Sequence, residues 1–244
     1  MIDKYLNKIT CGDCYELIKE LPDKSVQAIY TDIPYLYDRG GSSTSALSQR
    51  IKHEHNEVLA DIRDGIDYSL LEEFMRVMAK VNCFIWCSKS QIFDIMKFFL
   101  EQEDKDIFFE ILTWNKTNPT PATNGTWLPD IEYCLWFKES GVILNDGYEH
   151  KSKWYISPIN KRDKDTFEHP TIKPLPLVKR HLLHTTQPDD IVLDCFMGSG
   201  TTAIACKEIG RQFIGFEISE KWCKVANDRL NNIDANGQIS LFPR

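Results

Sequence analysis

The run Ile191-Val192-Leu193-Asp194 leaves directly into Cys195-Phe196-Met197-Gly198-Ser199-Gly200-Thr201-Thr202. Four apolar-rich residues bounded by turn formers read as a buried strand, and Thr201 to Ile209 reads as a helix that Gly210 stops. Few folds accept a strand, a glycine turn and a helix in such close succession. The chain must reverse sharply, Gly198 and Gly200 allow close backbone approach, and the helix opens with N–H groups that have no partner of their own. Ligands of open α/β sheets sit at the carboxyl ends of strands, so this turn is a candidate cofactor site.

The rest of the chain repeats the alternation. Lys8–Cys11, Val26–Asp32, Val81–Cys87 and Phe213–Glu217 read as strands. Between them lie helical patterns from Cys14 to about Leu21, over Leu70, Leu71, Phe74, Val77 and Met78, over Ile92–Leu100, from Pro174 to about Thr185, and from a Ser219 cap to about Asn232. Asp13 caps the first of these helices and Pro22-Asp23 ends it. Alternating strands and helices imply an α/β fold with a mostly parallel sheet covered on both faces. Ile107–Trp114 and Ile131–Phe137 have no helix of ordinary length between them, which predicts an antiparallel edge. Two stretches break the pattern: a glycine- and serine-rich polar loop from Asp38 to Arg63, and a loose tail from Asn236. At 244 residues the chain fits one domain with an insertion, or two small domains.

Net charge is -7, which argues mildly against a nucleic-acid partner. It is unevenly spread, however. Between Trp114 and His181 ten Lys+Arg stand against eight Asp+Glu, so that stretch carries +2 and the remainder -9. An acidic body with a local basic face is compatible with transient DNA binding, and equally with a solvated loop. Of eight cysteines, Cys11 and Cys14 are spaced C-x-x-C, but Cys83-Phe84-Ile85-Trp86-Cys87 reads as a buried strand and supplies no second knuckle. Free thiols and no metal are expected. Met1-Ile2-Asp3-Lys4-Tyr5 lacks a signal-peptide pattern, and no apolar run approaches the roughly 18 residues of a membrane span, so a cytoplasmic protein without membrane contact is expected.

Two motifs bear chemistry. Glu217 ends the strand after the glycine turn, where a carboxylate can accept ribose hydroxyls. A G-x-G with a later acid also suits a dinucleotide, so an NAD-binding oxidoreductase stays open on these residues. A P-loop is disfavoured because Gly200-Thr201-Thr202 lacks its lysine. Far upstream, Thr31-Asp32-Ile33-Pro34-Tyr35 closes another apolar run.

Taken together, His169-Pro170-Thr171-Ile172-Lys173-Pro174-Leu175, Asp194 to Thr202, Phe213-Ile214-Gly215-Phe216-Glu217-Ile218-Ser219 and Asp32-Ile33-Pro34-Tyr35 resemble the permuted (beta-class) DNA amino-methyltransferases, whose catalytic motif precedes the cofactor motif. The resemblance spans nearly the whole chain and is weakest at Arg39–Ile66 and Lys138–Glu168. It implies a Rossmann-like methyltransferase fold with circularly permuted motif order. It also implies S-adenosyl-L-methionine (AdoMet) as cofactor and an exocyclic amino group of a flipped base, adenine N6 or cytosine N4, as target. Carried onto this chain, His169, Thr171 and Lys173 would flank the methionine end of AdoMet, and Asp194, Phe196, Gly198, Gly200 and Thr201 would lie beside it. Glu217 would hold the ribose, and Gly12-Asp13 would sit near the adenine.

The amino group of a base is a poor nucleophile because its lone pair is delocalised into the ring. Acceptors on both of its N–H bonds favour tetrahedral geometry, and the resemblance gives these roles to the Asp32 carboxylate and the Ile33 carbonyl. Pro34 restricts Ile33 to an extended conformation, which aims that carbonyl, and Tyr35 offers a face for stacking an extruded base. The family usually carries a second proline where this chain has Ile33. Asp in the first position, rather than Ser, is commoner among the adenine-N6 enzymes, so adenine is expected. A cysteine nucleophile on cytosine C5 would need a Pro-Cys that is missing. The chain is read as a single catalytic domain over residues 1–244, with a mobile loop at about 38–65 and target recognition at about 115–168. There Trp127, Tyr148, Trp154 and Tyr155 interleave with Lys151, Lys153, Lys161 and Arg162. DNA is the expected partner. A homodimer and a restriction endonuclease partner are compatible with the resemblance.

Overall fold

The computed structural model describes residues 2–36, 65–121, 127–145, 147, 151–159 and 172–232. The polar loop read from Asp38 to Arg63, the tail from Asn236, Tyr148, Lys161, Arg162, His169 and Thr171 lie outside the described residues. The strands are β1 (Lys8–Cys11), β2 (Ala28–Asp32), β3 (Asn82–Cys87), β4 (Ile107–Lys116), β5 (Ile131–Glu139), β6 (Trp154–Ser157), β7 (Ile191–Asp194) and β8 (Gln212–Glu217). The helices are α1 (Cys14–Leu17), α2 (Ser69–Val77), α3 (Ile92–Leu100), α4 (Leu175–Thr185), α5 (Thr201–Glu208) and α6 (Glu220–Asn231). The first predicted helix is shorter than its pattern, because from Ile18 to Glu20 the chain tightens into a 3-10 turn.

One sheet runs in the order β1-β8-β7-β2-β3-β5-β4-β6. Strands β1, β8, β7, β2 and β3 are mutually parallel. Strand β5 is antiparallel to both β3 and β4, and β6 lies parallel to β4 at the rim. The expected reversal is therefore present, in β5, two places in from the outermost strand β6. Strand β6 was not marked as an element from the sequence: its four residues, Trp154-Tyr155-Ile156-Ser157, fall among the charged residues read as a recognition insertion.

Residues alternate strictly between two cores. Ile29, Cys83, Ile85, Cys87, Leu193, Ile214 and Phe216 face the layer holding Leu71, Phe74, Ile95 and Phe99 of α2 and α3. Ala28, Tyr30, Phe84, Trp86, Val192 and Phe213 face the layer of α4, α5 and α6, with Leu177, Val178, Leu182, Ala203 and Ala226. A strand whose neighbours on both faces are helices can be apolar at every position, which is why Asn82–Cys87 carries almost no polar residue and is buried throughout. No helix among the described residues is long and apolar enough to cross a membrane. All eight cysteines carry free thiols, and among the described residues no three His, Cys, Asp or Glu stand together as metal ligands.

Chain direction across the sheet changes between β7 and β2. From β7 the chain goes through α5 to β8 on one side, and from β2 through α2 to β3 on the other. Such a switch point opens a crevice at the carboxyl ends of the strands. Asp32 ends β2 and Asp194 ends β7.

Candidate active site

Cys195 to Gly200 forms the turn out of β7. Gly200 caps α5 in the left-handed region at φ 85°, and a Cβ there would stand 3.0 Å from the Ala226 Cβ and 3.2 Å from its Cα. Glycine is required on both counts: the backbone conformation penalises a side chain, and α6 leaves no room for one. Asp194, buried, anchors the turn. Its Oδ1 accepts from the Thr31 hydroxyl at 2.9 Å and the Phe196 N–H at 3.1 Å, and its Oδ2 accepts from the Thr202 hydroxyl at 2.7 Å. Burial pushes this carboxyl up to about 7 against those three donors. The carboxylate thus holds the loop, and through Thr31 it ties the loop to the residue preceding Asp32. Thr31 gave no signal in the sequence beyond its place in the run.

Glu217, at the end of β8, accepts from the Gly198 N–H at 2.7 Å and the Ser219 N–H at 2.8 Å. Burial raises its pKa while these N–H groups lower it. A carboxylate has about four acceptor positions, so two remain for donors from a ligand. On the far side, the Gly12 N–H donates to the Glu217 carbonyl at 2.9 Å, which brings Gly12 and Asp13 to the same end of the sheet. The Asp13 side chain caps α1, accepting from the Tyr15 N–H at 2.9 Å. A backbone-lined crevice with no Cβ at Gly200, a helix N-terminus and a ribose-competent acid suits AdoMet.

The second half of the site is filled with charge. The Lys173 ammonium, from the turn before α4, donates to Oδ2 of Asp32 and lies 2.9 Å from Oε2 of Glu132 and 3.3 Å from the Tyr35 hydroxyl. Lys116, the last residue of β4, meets Oε1 of Glu132 at 2.6 Å. Lys173 is only 7% exposed and also lies over the rings of Trp86 and Tyr35. Burial pushes Glu132 up, but the two ammonium groups outweigh it and hold the carboxyl down at about 2. Burial likewise raises Asp32, and Lys173 only partly offsets this. Lys173, expected beside the cofactor, is thus placed on the Asp32 carboxylate.

Oδ1 of Asp32 is buried and receives no hydrogen bond from the described residues. A buried acceptor left open costs free energy of order 1–3 kcal/mol unless a ligand completes it. The following backbone is clamped. The Ile33 N–H donates to the Trp86 carbonyl at 3.2 Å, and Nε2 of the buried Gln91 donates to the Pro34 carbonyl at 3.0 Å. Ser88 and Ser90 hydroxyls both donate to the Leu36 carbonyl. Among the described residues no backbone N–H of a turn, loop or cap donates to the Ile33 carbonyl.

Sequence reasoning missed Glu132, Lys116 and Gln91. Glu132 carried a faint signal, a lone acid at the start of an apolar run. Its meaning depends on β5 being reversed, which brings the N-terminal end of that strand to the carboxyl ends of β2 and β3. Of the expected recognition cations, Lys153 pairs with Glu110 at 2.6 Å on the surface.

A DNA methylase family model matches residues 26–228. The chain is 32% identical over 245 residues to the Type II methyltransferase M2.LlaDCHI of Lactococcus lactis subsp. cremoris, covering 90% of this chain and 87% of that protein. It is 30% identical to the Type II methyltransferase M2.DpnII of Streptococcus pneumoniae, covering 94% and 93%. Among solved structures, M1.HpyAVI in complex with SAM superposes with a TM-score of 0.64 at 30% identity, over 91% of this chain and 99% of that one. The cytosine-N4-specific PvuII DNA methyltransferase superposes with a TM-score of 0.68 at 15% identity, over 93% and 86%, a likeness of fold alone.

Proposed function

This chain belongs to the N6/N4 DNA methylase family, and from that premise we propose that its target is the N6 amino group of adenine, held by Asp32, Ile33 and Tyr35. It is an AdoMet-dependent DNA amino-methyltransferase; bound AdoMet supplies an electrophilic methyl group. The NAD-binding alternative gives no role to Asp32–Tyr35 and falls with the family match.

The observation that carries the proposal is the divided carboxylate of Asp32. Oδ2 is taken by Lys173 and Oδ1 is buried and open. An amino N–H arriving at Oδ1, with the second N–H on the Ile33 carbonyl, places the nitrogen lone pair out of the ring plane and toward the crevice of β7. Oδ1 then accepts the proton that the methylated nitrogen sheds. Both acceptors are fixed before the base arrives, so little reorganisation is needed during transfer. Tyr35 stacks the extruded ring. Glu217 would hold the ribose, Gly198, Gly200, Thr201 and Phe196 would line the crevice, Asp194 would brace the turn, and Asp13 would lie near the adenine of AdoMet. His169 and Thr171, outside the described residues, would flank the methionine end of AdoMet, as the family resemblance implies. Asp in the first motif position supports adenine over cytosine.

The reading takes residues 1–244 as one catalytic domain, with DNA docked along the 115–168 region and the 38–65 loop. Strands β5 and β6 belong to the sheet, so within 115–168 the bases would be read by the segments between strands. A cytoplasmic enzyme, a homodimer and a companion endonuclease suit a Type II modification system. The test is nucleoside analysis of DNA after incubation with the enzyme and AdoMet. N6-methyladenine is expected; N4-methylcytosine would overturn the base assignment and leave the mechanism standing.

A further inference from the structure

Glu132 lies on a strand that none of the recognised motifs includes, yet it is buried within the catalytic charge cluster. Its two oxygens are divided between two cations, Oε1 to Lys116 of β4 and Oε2 to Lys173. Lys173 in turn is divided between two carboxylates, Glu132 and Asp32. One ammonium therefore serves two acids. We propose that Glu132 is a positioning residue for methyl transfer: by sharing Lys173 it keeps that ammonium on Oδ2 of Asp32, clear of Oδ1, and prevents it from neutralising Asp32 as an acceptor.

The argument is geometric. Lys173 is buried and cannot exchange its partners for water. Without Glu132 its charge has one carboxylate left, Asp32, besides the Tyr35 hydroxyl and the faces of Trp86 and Tyr35. An ammonium held by a single carboxylate can straddle both oxygens, and would then cover the one the target amino group needs. Lys116 completes the balance. With Glu132 anchored on its Oε1 side, the pull on Lys173 is limited, so the ammonium stays between the two acids. The other titratable groups around Asp32 are Tyr35 of the motif itself, Tyr30 of β2, Cys87 of β3, Cys134 of β5 and Asp194 of β7. Burial pushes the Cys87 thiol up to about 12 and raises Tyr30 and Cys134 well above their usual values, so these stay neutral through the working range. Burial pushes the Asp194 carboxyl up to about 7, and the same group is present in each variant compared.

The inference rests on Asp32 being the acceptor for the target nitrogen, and the experiment separates the two. The single-turnover rate of methyl transfer from radiolabelled AdoMet to unmodified bacterial genomic DNA is measured across pH, alongside AdoMet affinity by calorimetry and the thermal midpoint. In Glu132→Gln, Asp32 loses a repelling neighbour and gains all of Lys173. The acid limb is expected to move down by about one pH unit, with a lower plateau and unchanged AdoMet affinity. In Lys116→Met, Glu132 pulls harder on Lys173, and the acid limb is expected to move up. The double variant Glu132→Gln/Lys116→Met removes one charge of each sign. It keeps the cluster balanced should the single variants fold poorly, and is expected to follow Glu132→Gln downward. A limb that stays in place, or that moves the same way in both single variants, would overturn the positioning role. Full activity in Asp32→Ala would instead remove the reading on which it rests.

Discussion

The two halves of the crevice use carboxylates in opposite ways. On the β7–β8 side, Asp194 and Glu217 spend their oxygens on the protein's own N–H and hydroxyl groups, five hydrogen bonds that set the shape of a turn. On the β2–β5 side, Asp32 meets a single ammonium and keeps an oxygen open, while Glu132 absorbs the surplus positive charge. The first arrangement builds a rigid receptacle out of backbone. The second leaves an unsatisfied acceptor where, on the proposed function, the target nitrogen docks. One residue type thus has two consequences, decided by whether the donors around it are neutral or charged.

The sharpest way to break this contrast is Lys173→Met. Asp32 would lose the cation that offsets its burial, so its carboxyl would hold its proton to higher pH. Since the acceptor must be ionised, the acid limb of the transfer rate should move upward, opposite to the shift expected for Glu132→Gln. The plateau rate should fall about a hundredfold, as for loss of a preorganised electrostatic contact. Stopped-time transfer assays from acid to neutral pH check both. An AdoMet affinity that fell in parallel would instead return Lys173 to the cofactor side.

Glu217→Ala should act on the other half alone. Losing a charged acceptor for ribose hydroxyls is expected to weaken AdoMet by about 2 kcal/mol, roughly thirtyfold, with transfer recovering at saturating AdoMet. Calorimetry and a rate titration decide it, and a plateau rate that stays depressed would place Glu217 in the chemistry.

Gly200→Ala probes how rigid the receptacle is. The residue sits at φ 85° and its new Cβ would press on the backbone of Ala226. A loss of about 1–3 kcal/mol in stability is expected from the strained conformation, read by chemical denaturation. A neutral outcome would show that the turn is softer than its hydrogen bonds suggest.

The cofactor half was legible in the sequence because it is local. Strand, glycines, helix and the acid ending the next strand are contiguous, and their spacing prescribes the turn. Asp32-Ile33-Pro34-Tyr35 was legible through its pairing in the sequence with that turn, and the β2–β7 adjacency places the end of β2 beside the glycine loop. What stayed hidden depends on long-range pairing. Glu132 enters the site only because β5 is reversed, and Lys116 because β4 runs beyond its apolar stretch; Lys173 was named from the sequence, but not its pairing with Asp32, which depends on the turn before α4 reaching across to β2. Gln91, a polar residue of a helix entry, was silent because its work is done by amide contacts with the Pro34 carbonyl and with Ser88 that no sequence pattern marks. Charge clusters assembled from four separate segments leave no periodic trace.

The central claim is that Asp32 serves the target nitrogen and has no part in holding AdoMet. The most direct test measures both in one preparation of Asp32→Ala: AdoMet affinity by calorimetry and single-turnover methyl transfer to DNA. We predict an unchanged dissociation constant with transfer reduced at least a thousandfold, the upper range for removing one preorganised group at the reacting centre, about 4 kcal/mol. Transfer at the wild-type rate, or lost AdoMet binding in a folded variant, would contradict the account.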